Sequence, residues 1–124
     1  MTDTVTDTVL DTAPDTLVVE NNPTILKLMV HHLEAAGCSV RSAGNGLDAL
    51  VEIDQIIPDI ILTDIIMPKV SGDQLCTIIR NDAKLKDIFI AVHSSTSLED
   101  NHTILELDAD VYIAKGPFIN IKKH

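Results

Sequence analysis

The sequence predicts an α/β fold in which helices cover a parallel β-sheet. Short apolar runs rich in β-branched residues occur at 17–19, 59–63, 88–92 and 111–114, and a weaker run lies at 39–42. Segments with the apolar spacing of helices separate these runs. Because the runs at 60–62 and 88–92 are continuously apolar, we expect strands that are buried on both faces, which is typical of parallel sheets.

The first helix has clear boundaries in the sequence. Asn22 is a favoured N-cap residue, and Pro23 suits the first helical position, where a backbone N–H would have no intrahelical partner. Gly37 is typical of the residue that ends a helix in a left-handed conformation. Further helices are predicted at about 46–56, 72–82 and 97–107.

The chain divides into a tail and one domain. Residues 1–16 repeat Asp-Thr pairs every four residues without Lys or Arg, and a helix would stack these aspartates at i,i+4. We therefore predict a disordered tail over 1–16 and a folded domain over 17–124. Only Lys115 to His124 follow the last predicted strand. The closing fifth helix is thus expected to be truncated or missing, unless this chain is the N-terminal piece of a longer protein.

Composition and charge exclude several classes of partner and site. The 124 residues include 9 Lys and Arg against 19 Asp and Glu, a formal net charge of -10. Binding to nucleic acid requires basic clusters, so we expect no direct nucleic acid partner and no anionic membrane surface. The sequence has neither a membrane-spanning apolar run nor the features of a signal peptide, which predicts a cytoplasmic protein. Cys38 and Cys76 have apolar surroundings and no CxxC spacing, and are expected to be small core residues.

Polar residues follow four of the predicted strands, at the edge where open parallel sheets bind ligands. These residues are Glu20, Asn21 and Asn22 after the first strand, Asp64 after the third, His93, Ser94 and Ser95 after the fourth, and Lys115 after the fifth. Carboxylate oxygens suit a hard divalent cation, and a lysine with a hydroxyl suits phosphoryl oxygens. Asp64 is the candidate nucleophile, because a carboxylate can accept a phosphoryl group as an acyl phosphate.

Several of these residues also have an ordinary structural interpretation. Asp64 alone would be a loop or cap residue, and Asn21 could form an Asx turn before the first helix. His93 either lies near the acceptor or is a packed core histidine, and packing is the default expectation. The adjacent His31 and His32 cannot both face one site on a helix, so they are expected to be solvated or packed.

Five segments together resemble the receiver domain of response regulators in two-component signalling. They are LVVENNP at 17–23, AGNGLDAL at 43–50, PDIILTDIIMP at 58–68, Gly72, and YIAK at 112–115. The segments occur in order and with family-like spacing, from about Leu17 to Phe118. The resemblance implies a doubly wound, flavodoxin-like sheet of five parallel strands in the order 2-1-3-4-5.

The resemblance implies a phospho-acceptor and a magnesium site. Asp64 stands at the acceptor position, and Mg²⁺ would be bound by Glu20, Asn21, Asp64 and the backbone carbonyl of Ile66. Asn21 departs from the family, which usually has a metal-ligating Asp at this position. Because an amide retains an oxygen but lacks the charge, weak Mg²⁺ binding is expected, with slow or absent phosphorylation.

The resemblance also implies residues that respond to the phosphoryl group. Ser94 stands at the hydroxyl that follows the phosphoryl group, with Ser95 as the alternative if the register differs by one residue. Lys115 stands at the lysine that pairs with the phosphoryl group, and Tyr112 resembles the aromatic switch residue. Gly116 departs from the family, in which this lysine usually directly precedes a proline, and the extra residue would either shift the Lys115 ammonium or be absorbed as a bulge in the loop.

Two functions follow from the resemblance. The first is a receiver domain, not an enzyme, that accepts a phosphoryl group on Asp64 from a histidine kinase or a histidine phosphotransfer protein. Its output would pass through a homodimer or a missing C-terminal domain. The alternative is a pseudo-receiver that binds a protein partner without phosphorylation. A flavin- or nucleotide-binding protein of the same topology is disfavoured, because no Gly-rich loop follows the first strand.

Overall fold

Strands and helices alternate along the chain. The computed structural model describes residues 13–65, 67, 69–94, 108–114 and 121–122. The elements, in chain order, are β1 (Asp15–Val19), α1 (Pro23–Ala35), β2 (Ser39–Ala43), α2 (Gly46–Gln55), β3 (Ile60–Asp64), α3 (Gly72–Arg80), β4 (Phe89–Ser94), β5 (Val111–Ala114) and β6 (Ile121–Lys122). The strand and helix positions agree with the expected ones to within two residues. The helix expected at 97–107 lies outside the described residues.

One sheet contains all the described strands, in the order β2-β1-β3-β4-β5-β6. The first five strands in this order are parallel, which confirms the predicted arrangement 2-1-3-4-5. Because the strands are parallel, their carboxyl ends lie along one edge of the sheet. The register places Val19 beside Thr63, and Asp64 beside His93.

The sheet has one strand more than the sequence predicted. The short strand β6 pairs with β5 in the antiparallel sense, so that Tyr112 faces Lys122 and Ile113 faces Ile121. The other residues after β5, at which the sequence predicted a truncated or missing closing helix, lie outside the described residues. None of the helices within the described ranges is both long and apolar enough to cross a membrane.

The first strand starts at Asp15, which corrects the predicted boundary of the tail at residue 16. Asp15 pairs with Ser39 in the parallel ladder, and its carboxylate lies 3.1 Å from the guanidinium of Arg41 on β2. Thr16 is 2% exposed. The last Asp-Thr pair of the repeat thus belongs to the sheet, because a basic residue on the neighbouring strand offsets the charge of Asp15. Residues 1–12 of the predicted tail lie outside the described residues.

Both ends of α1 have the predicted signals. The side-chain oxygen of Asn22 accepts the backbone N–H groups of Thr24 and Ile25 at 2.9 and 3.1 Å, and Pro23 is the first helical residue. Gly37 has a φ of 98°, the left-handed conformation expected at the end of this helix. The cap fixes where β1 stops and α1 begins, and so positions the residues between them.

The core lies between the sheet and the helices, and it includes one cysteine. The largest fully buried side chains include Leu17, Ile61, Leu75 and Ile90. Cys76 on α3 is buried beside them, and this burial raises the pKa of its thiol to about 11. Cys76 therefore acts as a small apolar residue, as the sequence predicted, and both Cys76 and the half-buried Cys38 are free thiols.

A close backbone approach joins α3 to the loop after β3. The N–H of Gly72 donates to the carbonyl of Ile65 at 2.8 Å. A Cβ atom at Gly72 would overlap the carbonyl oxygen of Asp64 and crowd the Cα of Ile65. Only glycine fits at this contact, which holds the first turn of α3 against the end of β3.

Replacing Gly72 by alanine is expected to destabilise the fold. The methyl group would meet backbone atoms that cannot rotate away, so α3 or the loop after β3 must shift. Overpacking of this kind lowers the free energy of unfolding by about 1–3 kcal/mol. Gly44→Ala is the matched control, because a methyl group there meets no atom within 4 Å. Urea unfolding followed by circular dichroism measures both variants, and equal midpoints would contradict the close approach.

Candidate functional site

Three ionisable side chains meet at the carboxyl edge of the sheet. Glu20 directly follows β1, Asp64 ends β3, and His93 lies near the end of β4. Each offers one donor atom, and the three atoms lie within 4.8 Å of one another. Their residues are only 2%, 8% and 3% exposed, respectively. Two carboxylates and an imidazole thus lie together in a small pocket with little access to solvent.

Backbone hydrogen bonds hold Glu20 in this space. Its N–H donates to the carbonyl of Ala43 at 3.1 Å, which extends the contact between β1 and β2 by one residue. Its Oε2 accepts the N–H of Asn22 at 2.9 Å. Its Oε1 lies 3.7 Å from Nε2 of His93. The carboxylate of Glu20 is therefore directed from the start of the β1–α1 connection toward β4.

Asp64 is oriented by its own loop. Its Oδ1 accepts the N–H of Ile65 at 2.8 Å, and its main-chain carbonyl accepts the hydroxyl of Thr63 at 2.9 Å. The same carbonyl packs against Gly72 at the start of α3. These contacts determine the direction of the carboxylate at the end of the central strand.

The structure places His93 beside both carboxylates, which is the alternative position near the acceptor that the sequence left open. The residue is buried as expected, but its Cα is the register partner of Asp64, and its ring approaches Glu20. One signal was present in the sequence, because His93 stands among the polar residues that follow an apolar strand. Its closeness to Glu20 depends on the order β1-β3-β4, which brings together residues 73 positions apart (93 − 20).

Asn21 and Asn22 are adjacent in the sequence, but different roles are expected for their side chains. Both residues are exposed, and Asn22 uses its side-chain oxygen to cap α1. Asn21 directly follows Glu20, where the resemblance expects a charged metal ligand. The buried oxygens of Glu20 and Asp64 fit a hard divalent cation such as Mg²⁺. The side chain of Asn21 has an amide oxygen but no negative charge, so its place in the metal site stays a prediction.

Of the remaining predicted residues, the structure describes Tyr112 and the backbone of Ser94. The backbone of Ser94 pairs with that of Ala114 at the ends of β4 and β5. Tyr112 on β5 is half-buried against the core, and burial, followed by the proximity of Cys76 and Asp108, raises its pKa. Ile66, Ser95, Lys115 and Gly116, with the side chain of Ser94, lie outside the described residues, so their roles stay predictions.

A comparison with known protein families assigns this chain to one of them. The sequence model of one protein family, the response regulator receiver domain, matches residues 16–120 of this chain. The chain belongs to the response regulator receiver domain family. Receiver domains generally bind Mg²⁺ at an acidic pocket, and this chain has a buried group formed by Glu20, Asp64 and His93.

Individual relatives agree with the family assignment. Protein PilG of Pseudomonas aeruginosa is 34% identical over 103 residues, which cover 82% of this chain and 76% of PilG. The probable transcriptional regulator ycf27 of Guillardia theta is 35% identical over 102 residues, which cover 82% of this chain but only 39% of that protein. The structure of the chemotaxis response regulator CheY4 of Vibrio cholerae is 27% identical, with a TM-score of 0.78 over 86% of this chain and 89% of that one. The receiver domain thus spans less than half the length of ycf27.

Removing the cap of α1 is expected to cost stability. Asn22→Ala leaves the N–H groups of Thr24 and Ile25 without the side-chain oxygen that accepts them, and should lower the free energy of unfolding by about 1 kcal/mol. Asn21→Ala is the matched control, since it removes an exposed amide next to the cap and should change the free energy little. Thermal or urea unfolding measures both. A loss for Asn21→Ala as large as that for Asn22→Ala would show that the cap is not the cause.

Proposed function

We propose that the chain accepts a phosphoryl group on Asp64, from a histidine kinase or a histidine phosphotransfer protein, in two-component signalling. The main support is the position of Asp64, a buried carboxylate at the carboxyl end of the central strand of a receiver fold. Glu20 lies beside it, as expected for the acidic pocket of the family. The phosphoryl group would end on the protein itself, so the chain would be a signalling acceptor and not an enzyme with turnover.

The reaction requires a correctly directed carboxylate oxygen. An oxygen of Asp64 would form a bond to phosphorus while the bond between phosphorus and the imidazole nitrogen of the donor breaks. The imidazole leaves with that electron pair, and the product is an acyl phosphate. The N–H of Ile65 fixes one oxygen of Asp64, and thereby orients the carboxylate. The close contact at Gly72 holds the loop against which the phosphoryl group would sit.

The negative charges that meet in this reaction need compensation. Glu20, Asn21, Asp64 and the carbonyl of Ile66 are the proposed Mg²⁺ ligands, and bound Mg²⁺ would neutralise phosphoryl oxygens beside the carboxylates. Lys115 is proposed to pair with the phosphoryl oxygens from the end of β5. Without these positive charges, a phosphoryl group would be repelled by Glu20 and Asp64 in a site of low dielectric constant.

The response to phosphorylation would use β4 and β5. We assign Ser94 as the hydroxyl that binds the phosphoryl group and Tyr112 as the switch residue on the neighbouring strand. Tyr112 is half-buried against the core, so a response to phosphorylation would change how much of its ring is covered. The output would pass to another surface, either in a homodimer or in a C-terminal domain of a longer protein, in the cytoplasm.

Phosphorylation can be tested with a small phosphodonor. Incubation with acetyl phosphate and Mg²⁺ should add one phosphoryl group, seen by intact-mass spectrometry and removed by hydroxylamine, which cleaves acyl phosphates. The adduct should be absent from Asp64→Ala and from the near-isosteric Asp64→Asn, and present in Asp54→Ala, which removes an exposed carboxylate on α2. An unmodified wild-type protein, or an adduct that persists in both Asp64 variants, would refute the proposal.

Restoring the charge at position 21 should strengthen Mg²⁺ binding. Two unit charges about 4 Å apart interact by about 4 kcal/mol at an effective dielectric constant of about 20, and one third of this corresponds to about tenfold in affinity. Calorimetric titration should therefore show about tenfold tighter Mg²⁺ binding for Asn21→Asp, with faster labelling by acetyl phosphate.

The matched control for this charge is Asn22→Asp. It adds the same charge one residue further along and keeps a favoured N-cap side chain, so its effect on Mg²⁺ affinity should be smaller. Equal gains for the two variants would show that position 21 is not a ligand position. Labelling of Asn21→Asp alone, with none of the wild type, would instead support the pseudo-receiver, which works without phosphorylation.

A further inference from the structure

His93 changes the chemistry of the acidic pocket. Mg²⁺ prefers oxygen ligands in an octahedral arrangement, and an imidazole nitrogen contributes little to such a site. Imidazole together with carboxylates is instead a donor set that binds zinc and related transition-metal ions. In this chain, Glu20, Asp64 and His93 supply two carboxylates and one imidazole at a single point.

We propose that Glu20, Asp64 and His93 form a binding site for a divalent transition-metal ion of the zinc class. In this site His93 is a direct ligand, and the ion occupies the pocket in competition with Mg²⁺. The inference shares Asp64 with the proposed phosphorylation site, and its regulatory consequence rests on that function. The binding of the ion itself requires only the three side chains.

The geometry of the three side chains fits this site. Ligands bound at about 2.0–2.2 Å in a tetrahedral arrangement are separated by about 3.3–3.6 Å. Oε1 of Glu20 and Nε2 of His93 are already 3.7 Å apart, and all three donor atoms lie within 4.8 Å. Small side-chain rotations would therefore complete the arrangement, with a fourth position left for water or another ligand.

The surrounding backbone supports two of the three ligands. Oε2 of Glu20 accepts the N–H of Asn22, and Oδ1 of Asp64 accepts the N–H of Ile65, so each carboxylate is oriented by a hydrogen bond to its own loop. In known metal sites, hydrogen bonds to the side chains that bind the metal hold those side chains in the orientation needed for binding. The strand β4 holds the third ligand, because His93 is fixed in register beside Asp64.

No comparable alternative occurs in the rest of the described chain. Among the residues 13–65, 67, 69–94, 108–114 and 121–122, this is the only group of three His, Cys, Asp or Glu side chains placed to hold a metal ion. His31 and His32 are both exposed on α1, with their ring centroids 5.9 Å apart, so they lie at the surface and not in the buried pocket. Metal binding at His93 can thus be separated experimentally from surface binding at other histidines.

Bound metal would also affect the acceptor. If Asp64 is a ligand of a zinc-class ion, one of its oxygens is occupied by a stronger Lewis acid than Mg²⁺, and its nucleophilicity falls. Removal of the ion would return the carboxylate to the Mg²⁺-dependent reaction. The chain would then respond to the availability of a transition metal as well as to its phosphodonor.

The test is a metal titration of the full chain after treatment with a chelator. Zn²⁺ is titrated against a chromophoric chelator, and Co²⁺ binding is followed by its visible absorption, which reports on the ligand set. We expect one Zn²⁺ per chain at this site, with binding at least about tenfold weaker in His93→Val. Valine suits a buried strand position, and circular dichroism checks that the variant is folded. The double variant His31→Ala/His32→Ala is the control and should bind like the wild type.

The possible results are distinct. Zn²⁺ affinity and a Co²⁺ spectrum that are unchanged in folded His93→Val would overturn the proposal, as would the absence of Zn²⁺ binding by the wild type. Labelling by acetyl phosphate gives an independent measurement: Zn²⁺ should suppress it in the wild type but not in His93→Val. If labelling never occurs, the phosphorylation proposal fails, while the titration still decides the metal site.

Discussion

The burial of two carboxylates beside each other is the constraint on which the site depends. Glu20 and Asp64 are 2% and 8% exposed, and their donor atoms lie within 4.8 Å of each other and of His93. Two like charges at this distance repel strongly where water is excluded, and burial of each charge is itself costly. Such a pair is stable only if nearby donors or a bound cation offset the charge. Backbone N–H groups after β1 and β3 are the donors, and the ligand atoms of the three side chains determine which cation the site would bind.

The donors come from the backbone turns that follow each strand. The N–H of Asn22 reaches Glu20, and the N–H of Ile65 reaches Asp64. These turns are held in place by features further along the chain, namely the cap of α1 at Asn22 and the glycine contact of α3 at Gly72. A disturbance of either helix start would therefore also move a carboxylate. Stability and function are coupled at this edge because the same backbone turns serve both.

The sequence predicted the features that depend on local patterns. The positions of the strands and the boundaries of α1 could be inferred from apolar runs and cap residues, while the strand order and the role expected for Asp64 came from the family resemblance. The pairing of Asp15 with Arg41 and the approach of His93 to Glu20 could not, because each joins residues that are distant in the chain. The repeat of Asp-Thr pairs even favoured the wrong boundary, since the partner that offsets Asp15 stands on another strand. Long-range register decides such contacts, and it is visible only in the folded sheet.

The side chains of Asn21 and His93 act in the same direction on the proposed metal site. With Asn21 in place of an acid, the charges of two carboxylates would equal in magnitude that of one divalent cation, so that a bound ion would leave the buried centre neutral. A neutral centre is easier to bury than a charged one, but it attracts Mg²⁺ less strongly. An imidazole compensates by adding a donor without adding negative charge, and zinc-class ions gain more from that donor than Mg²⁺ does. A neutral side chain at position 21 and an imidazole at position 93 would therefore both favour a zinc-class ion over Mg²⁺ in the proposed site, in which the Asp64 carboxylate would be a ligand.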